Sequence, residues 1–122
     1  MNTHNLGQKG EKLALGFLKK RGYKILQTNF HSRFGEIDII AVDNSNSHDP
    51  VLAFIEVKTR EDNQFGTPQE AITPWKIDRM IKTAQFFQTT KQNLPESQRL
   101  DGVFIEMKNG EVETIELIKN LQ

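Results

Sequence analysis

Apolar and polar positions change period several times along this chain, and each change marks an element. Over residues 4 to 21, Leu6, Gly10, Leu13, Ala14, Phe17 and Leu18 recur at the i, i+3, i+4, i+7 spacing of an amphipathic helix. Thr3 or Asn5 is placed to cap its start, basic residues occupy its last turn, and Gly22 suits the position just past its end. Three strand-like runs follow: "YKILQTN" (23–29), "EIDIIAV" (36–42) and "VLAFIEVKT" (51–59). "FHSRFG" reads as the turn between the first two, and "DNSNSHDP" as a polar loop before the third. Residues 51 to 55 are apolar without interruption, the pattern of a central strand buried on both faces.

"REDNQFGTP" reads as a loop, after which Pro68 opens a short helix through Ile72. A longer helix runs from Pro74 to Thr90, since proline is favoured at a first helical position. Its stripe is Ile77, Met80, Ile81, Ala84 and Phe87. Beyond the loop "KQNLPESQ", the runs "LDGVFIEM" (100–107) and "VETIELI" (112–118) are strands joined at Asn109-Gly110, a strong hairpin signal. No repeat, low-complexity tract or linker interrupts the pattern. The order α-β-β-β-α-β-β predicts an α/β protein: a mixed sheet, antiparallel through its hairpins, flanked by helices, in one domain over residues 1–122.

Composition narrows the class. The chain has 122 residues, 36% hydrophobic and 26% charged, which suits a globular protein able to bury a core without metals or disulfides. It has no cysteine, which removes thiolate metal sites and cysteine nucleophiles and fits a reducing compartment. Its first residues contain no apolar signal region, and no segment approaches the roughly 18 apolar residues that cross a membrane. A cytoplasmic protein without membrane contact is expected. Sixteen basic and sixteen acidic residues cancel, which disfavours a protein that coats DNA non-specifically. It leaves room for a nuclease, whose acidic metal site offsets a basic rim. The basic residues cluster at Lys19, Lys20, Arg21 and Lys24, at Lys58 and Arg60, and at Lys76, Arg79 and Lys82. Each cluster alone reads as a solvated helix face or end.

The chemistry lies in two strands. Strand alternation puts Glu36 with Asp38 on one face, and Glu56 with Lys58 on one face. If those strands pair, Asp38 and Glu56 stand side by side and raise each other's pKa unless a cation sits between them. Hard divalent ions take oxygen ligands, and Mg2+ uses one or two carboxylates plus substrate phosphates. Lys58 would point at the same place and steady developing charge. Asp, then Glu-x-Lys, is therefore a sensible phosphodiester hydrolase site. Glu11 lies in or beside the apolar sector of the first helix and wants a partner. The competing explanations are a cross-strand ion pair at an exposed strand end, and a Glu11 that reaches water at the stripe edge. A second Glu-x-Lys, Glu106-Met107-Lys108, abuts the Asn-Gly turn and has no acidic strand beside it.

His4, His31 and His48 show no ligand spacing and are expected at the surface. Trp75, near a helix start, is expected to pack rather than to stack on a base. Phe65 and Gly66 mark either a mobile segment over the site or a plain turn.

"GEKLALGFLKKRGYKILQTNF", "GEIDIIAVD", "FIEVKTR", "FGTPQEAI", "WKIDRM" and "LDGVFIE" resemble, in order, nearly the whole of the YraN-like family over residues 10 to 106. Its members are small uncharacterised bacterial proteins with a restriction-endonuclease-like fold. The resemblance implies a relative of the PD-(D/E)xK nucleases, similar to archaeal Holliday junction resolvases. It implies that Glu11 is the helix-1 glutamate, Asp38 the metal aspartate, Glu56 the second metal carboxylate and Lys58 the catalytic lysine. Glu36, Arg60 and Gln69 fall in signature stretches without an assigned role. Ile37 stands where the superfamily name has proline.

The leading expectation is a Mg2+- or Mn2+-dependent DNA endonuclease, with branched or flapped DNA as candidate substrates. Arg60, Lys76 and Arg79 are its candidate phosphate contacts. A homodimer is expected only by analogy with resolvases, which make two symmetric cuts. The alternatives are a non-catalytic nucleic-acid-binding or adaptor domain that keeps the fold, and a partner-binding protein with ion-paired acids.

Overall fold

The computed structural model describes residues 3–62 and 66–122, with side chains from Asn5 onward. Phe65 and the His4 side chain lie outside the described residues. A five-stranded mixed sheet of order β1-β2-β3-β4-β5 forms the centre: β1 (Tyr23–Ser32), β2 (Gly35–Asp43), β3 (Val51–Glu61), β4 (Ser97–Lys108) and β5 (Glu111–Ile118). β1, β2 and β3 pair antiparallel in sequence order, β3 pairs parallel with β4, and β4 pairs antiparallel with β5. The β4–β5 hairpin turns at Asn109 and Gly110, both at positive φ, as the sequence pair predicts. The expected α-β-β-β-α-β-β order holds, in the α/β arrangement of a restriction-endonuclease-like sheet.

Three strands run further than expected: β3 continues through Arg60 and Glu61, β4 starts at Ser97 rather than Leu100, and β1 is extended. Phe30, His31 and Ser32 belong to β1 rather than to a turn, so only Arg33 and Phe34 connect β1 to β2. Phe30 decides this. Its ring stands 5.1 Å, edge-on, from Phe87 and 6.2 Å from Phe86, both on the helix behind the sheet. The polar residues around Phe30 face water at an edge strand, which local composition cannot distinguish from a turn.

The two helices cover opposite faces. α1 (Thr3–Lys20) includes Asn5 within the helix, so Asn5 is not its cap, and it presses Leu6, Ala14 and Leu18 onto Ile39, Ala41, Ala53 and Ile55. α2 (Pro74–Thr90) starts as expected: Thr73 accepts a hydrogen bond from the Lys76 amide, and Pro74 fills the first position. It presses Met80, Ala84 and Phe87 onto Ile40, Leu52, Phe54 and Leu100. β3 is therefore sandwiched, and Leu52, Ala53, Phe54 and Ile55 are buried in succession. Between β3 and α2, Pro68–Ala71 forms one short 3-10 turn.

Gly10 sets how closely α1 lies on β3. A Cβ there would overlap the Thr59 hydroxyl and stand 3.2 Å from the Thr59 Cβ. The glycine lets the helix backbone rest directly on the strand.

A buried polar knot ties four segments together near the start of β3. The Arg99 guanidinium donates to both oxygens of Asp101 at 2.7 and 2.8 Å, to Asp43 at 2.7 Å and to the Tyr23 hydroxyl at 3.0 Å. Asp101 also accepts from the Asn120 amide at 3.0 Å, and Lys119 stands 3.3 Å from Asp43. Burial pushes the Asp43 carboxyl up, but hydrogen bonds from Arg99 and Ser45, with the Lys119 charge, hold it well below the usual range.

Arg99→Met leaves buried Asp101 without its cation and Asp43 with Lys119 alone, and is expected to lower the unfolding free energy by about 3–5 kcal/mol. Urea titration at pH 7 measures it, and a loss near zero contradicts the account. Gly10→Ala is expected to destabilise by about 1–3 kcal/mol, against its favourable helix propensity. Thermal melting should show Gly10→Ala combined with Thr59→Ala regaining most of that loss.

Candidate functional site

The site forms where the β2–β3 ladder stops. Pairing runs from Asp43↔Val51 to Ile39↔Ile55, and the next residues along each strand are Asp38 and Glu56. There the Val57 amide donates to Asp38 Oδ2 at 2.8 Å. Side-chain alternation also breaks at this point. Ile39 packs under α1 and Ile40 under α2, yet Ile37 packs under α2 as well. On β1, Asn29 takes a positive φ of 51° between the pairs Thr28↔Ile39 and Phe30↔Ile37. Asparagine tolerates this left-handed conformation better than most residues. Asp38 thus sits on a local twist between two buried isoleucines.

Glu56 is almost fully buried. Lys58 Nζ stands 3.7 Å from its Oε1, and Lys76 Nζ stands 3.4 Å from its Oε2. Both are ion-pair distances, but buried Oε2 has no hydrogen-bond partner. Burial, with the Asp38 charge adding, pushes the Glu56 carboxyl up to about 7 against the pull of Lys76 and Lys58. Burial raises Asp38 too, against the Val57 hydrogen bond and the lysine charges. Two neighbouring carboxylates that resist ionisation, one with an oxygen that makes no hydrogen bond, suit a hard divalent cation. Such an ion would satisfy Oε2 and favour both charged forms.

The remaining expected residues separate. Glu11 is held by the Asn29 side-chain amide at 2.8 Å. Desolvation raises its pKa, with smaller contributions from Asp38 and Glu36, so it lies within electrostatic reach of the pair. It lines an open groove on α1 with Lys9, Lys12 and Asn29. Among the described residues, no group of three or more carboxylates or histidines gathers as a ready ligand set, so Glu11 stands beside the pair and not within it.

Glu36 is exposed and pairs across the hairpin with His31 Nδ1 at 3.1 Å. The expected common face for Glu36 and Asp38 therefore does not bring Glu36 into the site, because the alternation breaks between them. Arg60 lies beside Glu106 in the register and borders a depression lined also by Glu61, Asp62 and Glu113. Its surroundings are acidic. Gln69 donates to Glu116 at 3.1 Å and ties the 3-10 turn to β5. The second Glu-x-Lys behaves as expected: Glu106 accepts from Thr114 at 3.0 Å and Lys108 is exposed at the hairpin end.

Lys76 does more than sequence alone suggested. The Thr73 cap places it in the first turn of α2, from which its ammonium reaches Glu56. Arg79, one turn on, stacks over the Trp75 ring at 4.9 Å. Trp75 is 67% exposed, so the expectation that it packs inside is overturned. It stands at the first turn, outside the Met80, Ala84 and Phe87 stripe that meets the sheet.

The pattern that defines the uncharacterised protein family UPF0102 matches residues 10–105, a span that includes Glu11, Asp38, Glu56, Lys58, Lys76 and Arg79. Relatives that carry the name UPF0102 protein are similar over most of the chain. One from Caldicellulosiruptor saccharolyticus is 42% identical over 122 residues, 98% of each chain. One from Geobacter metallireducens is 39% identical over 122 residues, 98% of this chain and 95% of its own. One from Syntrophomonas wolfei is 43% identical over 95 residues, 77% of this chain and 78% of its own.

The Glu56 environment has a measurable consequence in metal-free protein. The folded state holds the Glu56 proton up to about pH 7, and the unfolded chain releases it near its ordinary value of 4.5. A raised folded pKa contributes stability at low pH that is lost as pH rises through that window. In chelator at pH 8, Glu56→Gln is therefore expected to be more stable than the wild type by about 1–3 kcal/mol. The difference should vanish by about pH 4, below the unfolded value. Melting curves at both pH values test this, and a destabilised variant at pH 8 contradicts it.

Proposed function

The chain belongs to the uncharacterised protein family UPF0102, the YraN family that its motifs resemble, and from that premise we propose that it is a divalent-metal-dependent DNA endonuclease. One observation carries this reading. The buried Oε2 of Glu56 makes no hydrogen bond and has the Lys76 ammonium at 3.4 Å, at the end of a ladder beside Asp38, with Lys58 at 3.7 Å from the other oxygen. A structural ion pair has little use for a buried carboxylate oxygen that makes no hydrogen bond, which is costly to leave so.

In this reading Asp38 and Glu56 would hold the Mg2+ or Mn2+, with Glu11 beside them, held by Asn29. The ion supplies a polarised phosphoryl oxygen and a hydroxide near neutral pH. The Val57 amide fixes the Asp38 carboxylate in place. Lys58, with 39% of its side chain exposed, is the group free to turn toward a phosphate, hold the attacking water and offset charge at the phosphorus. Lys76 and Arg79 carry the flanking phosphates, with Arg60 assigned the weaker contact because of its acidic neighbours. The substrate class is branched or flapped DNA. A homodimer would let one assembly make both cuts of a junction. A DNA substrate places the protein in the cytoplasm, and among the described residues no helix is long and apolar enough to cross a membrane.

A second reading has one observation in its favour. Lys58 and Lys76 both stand against Glu56, so its charge has partners without an ion. A non-catalytic nucleic-acid-binding or adaptor domain would keep that arrangement. Its DNA binding would be salt-sensitive, independent of metal and unaffected by Asp38→Asn.

Linear, flap and four-way-junction DNAs incubated with Mg2+ or Mn2+ separate the two. Asp38→Asn and Lys58→Ala are each expected to lower the cleavage rate by about 100-fold or more, with folding intact by circular dichroism. Equal cleavage by wild type and Asp38→Asn, or none by either, rejects the nuclease.

A further inference from the structure

Trp75 is the only tryptophan of the chain, and it is 67% exposed on the first turn of α2. So large an apolar ring contributes nothing to the core from that position. The Arg79 guanidinium lies 4.9 Å from its centroid. The stacked pair forms one wall of an open depression of about 340 Å3, completed by Lys76 and by His31, Gly35 and Glu36 of the β1–β2 hairpin. Gly35, at φ +145°, keeps that side open, since a Cβ there would stand 3.4 Å from the Arg79 guanidinium. Arg33, exposed in the same hairpin turn, adds positive charge. Lys76 belongs both to this depression and to the ion pair with Glu56. The depression therefore begins where the carboxylate site ends.

We propose that Trp75 is a stacking platform for one unpaired nucleobase beside the phosphate met by Lys58 and Lys76, with Arg79 on the adjoining phosphate. An exposed aromatic ring beside cations matches the chemistry of single-stranded nucleic acid, whose bases offer a free face while the backbone offers charge. A paired base inside a duplex has both faces covered and cannot lie on Trp75. The platform thus selects DNA with a single-stranded nucleotide at the site, such as a flap, over continuous duplex. This rests on the nuclease reading for the neighbouring phosphate, but the stacking contact itself needs neither metal nor cleavage.

Because Trp75 is the sole tryptophan, its fluorescence reports this contact directly. Wild-type protein in chelator is titrated with an oligothymidylate, a flap duplex and a blunt duplex of equal length. Saturable quenching is expected with the first two and not with the third. Trp75→Ala, read by anisotropy of labelled DNA, is expected to weaken flap binding by about tenfold or more and to leave blunt-duplex binding nearly unchanged. Trp75→Phe should keep most of the flap affinity, since a smaller ring still stacks. Absence of quenching, or an equal loss on all three DNAs, overturns the platform. Cleavage is scored separately with Mg2+. Cleavage without quenching overturns the platform alone, and quenching without cleavage upholds it in a domain that is not a nuclease.

Discussion

β3 and β4 run parallel from Val51↔Ser97 to Glu61↔Met107 without a register shift, and parallel neighbours cannot be joined by a tight turn. The chain must leave the end of β3, cross a face of the sheet and return to the start of β4. α2 is that crossover. Its first turn lies over the sheet where Lys76 meets Glu56, at the middle of β3. The same crossing buries Phe54 and Leu52 under Met80, Ala84 and Phe87, leaving α1 to cover the other face. Without the parallel ladder, the Glu-x-Lys of β3 would lack its third charged neighbour and the apolar enclosure that raises its carboxylate.

The protein buries acidic groups in two opposite ways. Near the start of β3, Asp43 and Asp101 are fully engaged by Arg99, with Tyr23, Lys119 and Asn120 completing the knot. Asp43 is driven below its usual pKa, as expected for a carboxylate with strong donors. At the middle of β3, buried Glu56 and half-buried Asp38 of the neighbouring β2 have fewer donors and are driven upward. Both pairs sit in the same sheet, so burial alone does not distinguish structure from chemistry. The distinguishing quantity is hydrogen-bond satisfaction: the first pair is complete, and in the second Glu56 Oε2 has an ion pair with Lys76 but no hydrogen bond.

Local sequence carried much of the fold because its signals act over a few residues. Thr73 and Pro74 start α2 through a cap and a fixed φ, and Asn109-Gly110 turns the last hairpin through positive φ. The end of β1 was illegible for the same reason. His31 and Ser32 are polar, and only the contact of Phe30 with Phe86 and Phe87, far along the chain, makes that segment a strand. Simple alternation grouped Glu36 with Asp38. It failed because the ladder twists at Asp38 and Asn29, a distortion that period-two patterns do not encode.

By itself, the sequence determined the element order, the mixed sheet and the presence of an acidic strand and a Glu-x-Lys strand in succession, since each follows from periodicity and residue type, while their pairing was decided by the sheet. It also placed the chain in its family through motifs spread over most of its length. Tertiary structure alone decided which charges meet. It turned Glu36 out to His31, bound Glu11 to Asn29, brought Lys76 to Glu56 and left Trp75 in water beside Arg79. The physical reason is that charge pairing and desolvation depend on distances between segments remote in sequence. Those distances exist only once β3 and β4 are paired and both faces of the sheet are covered.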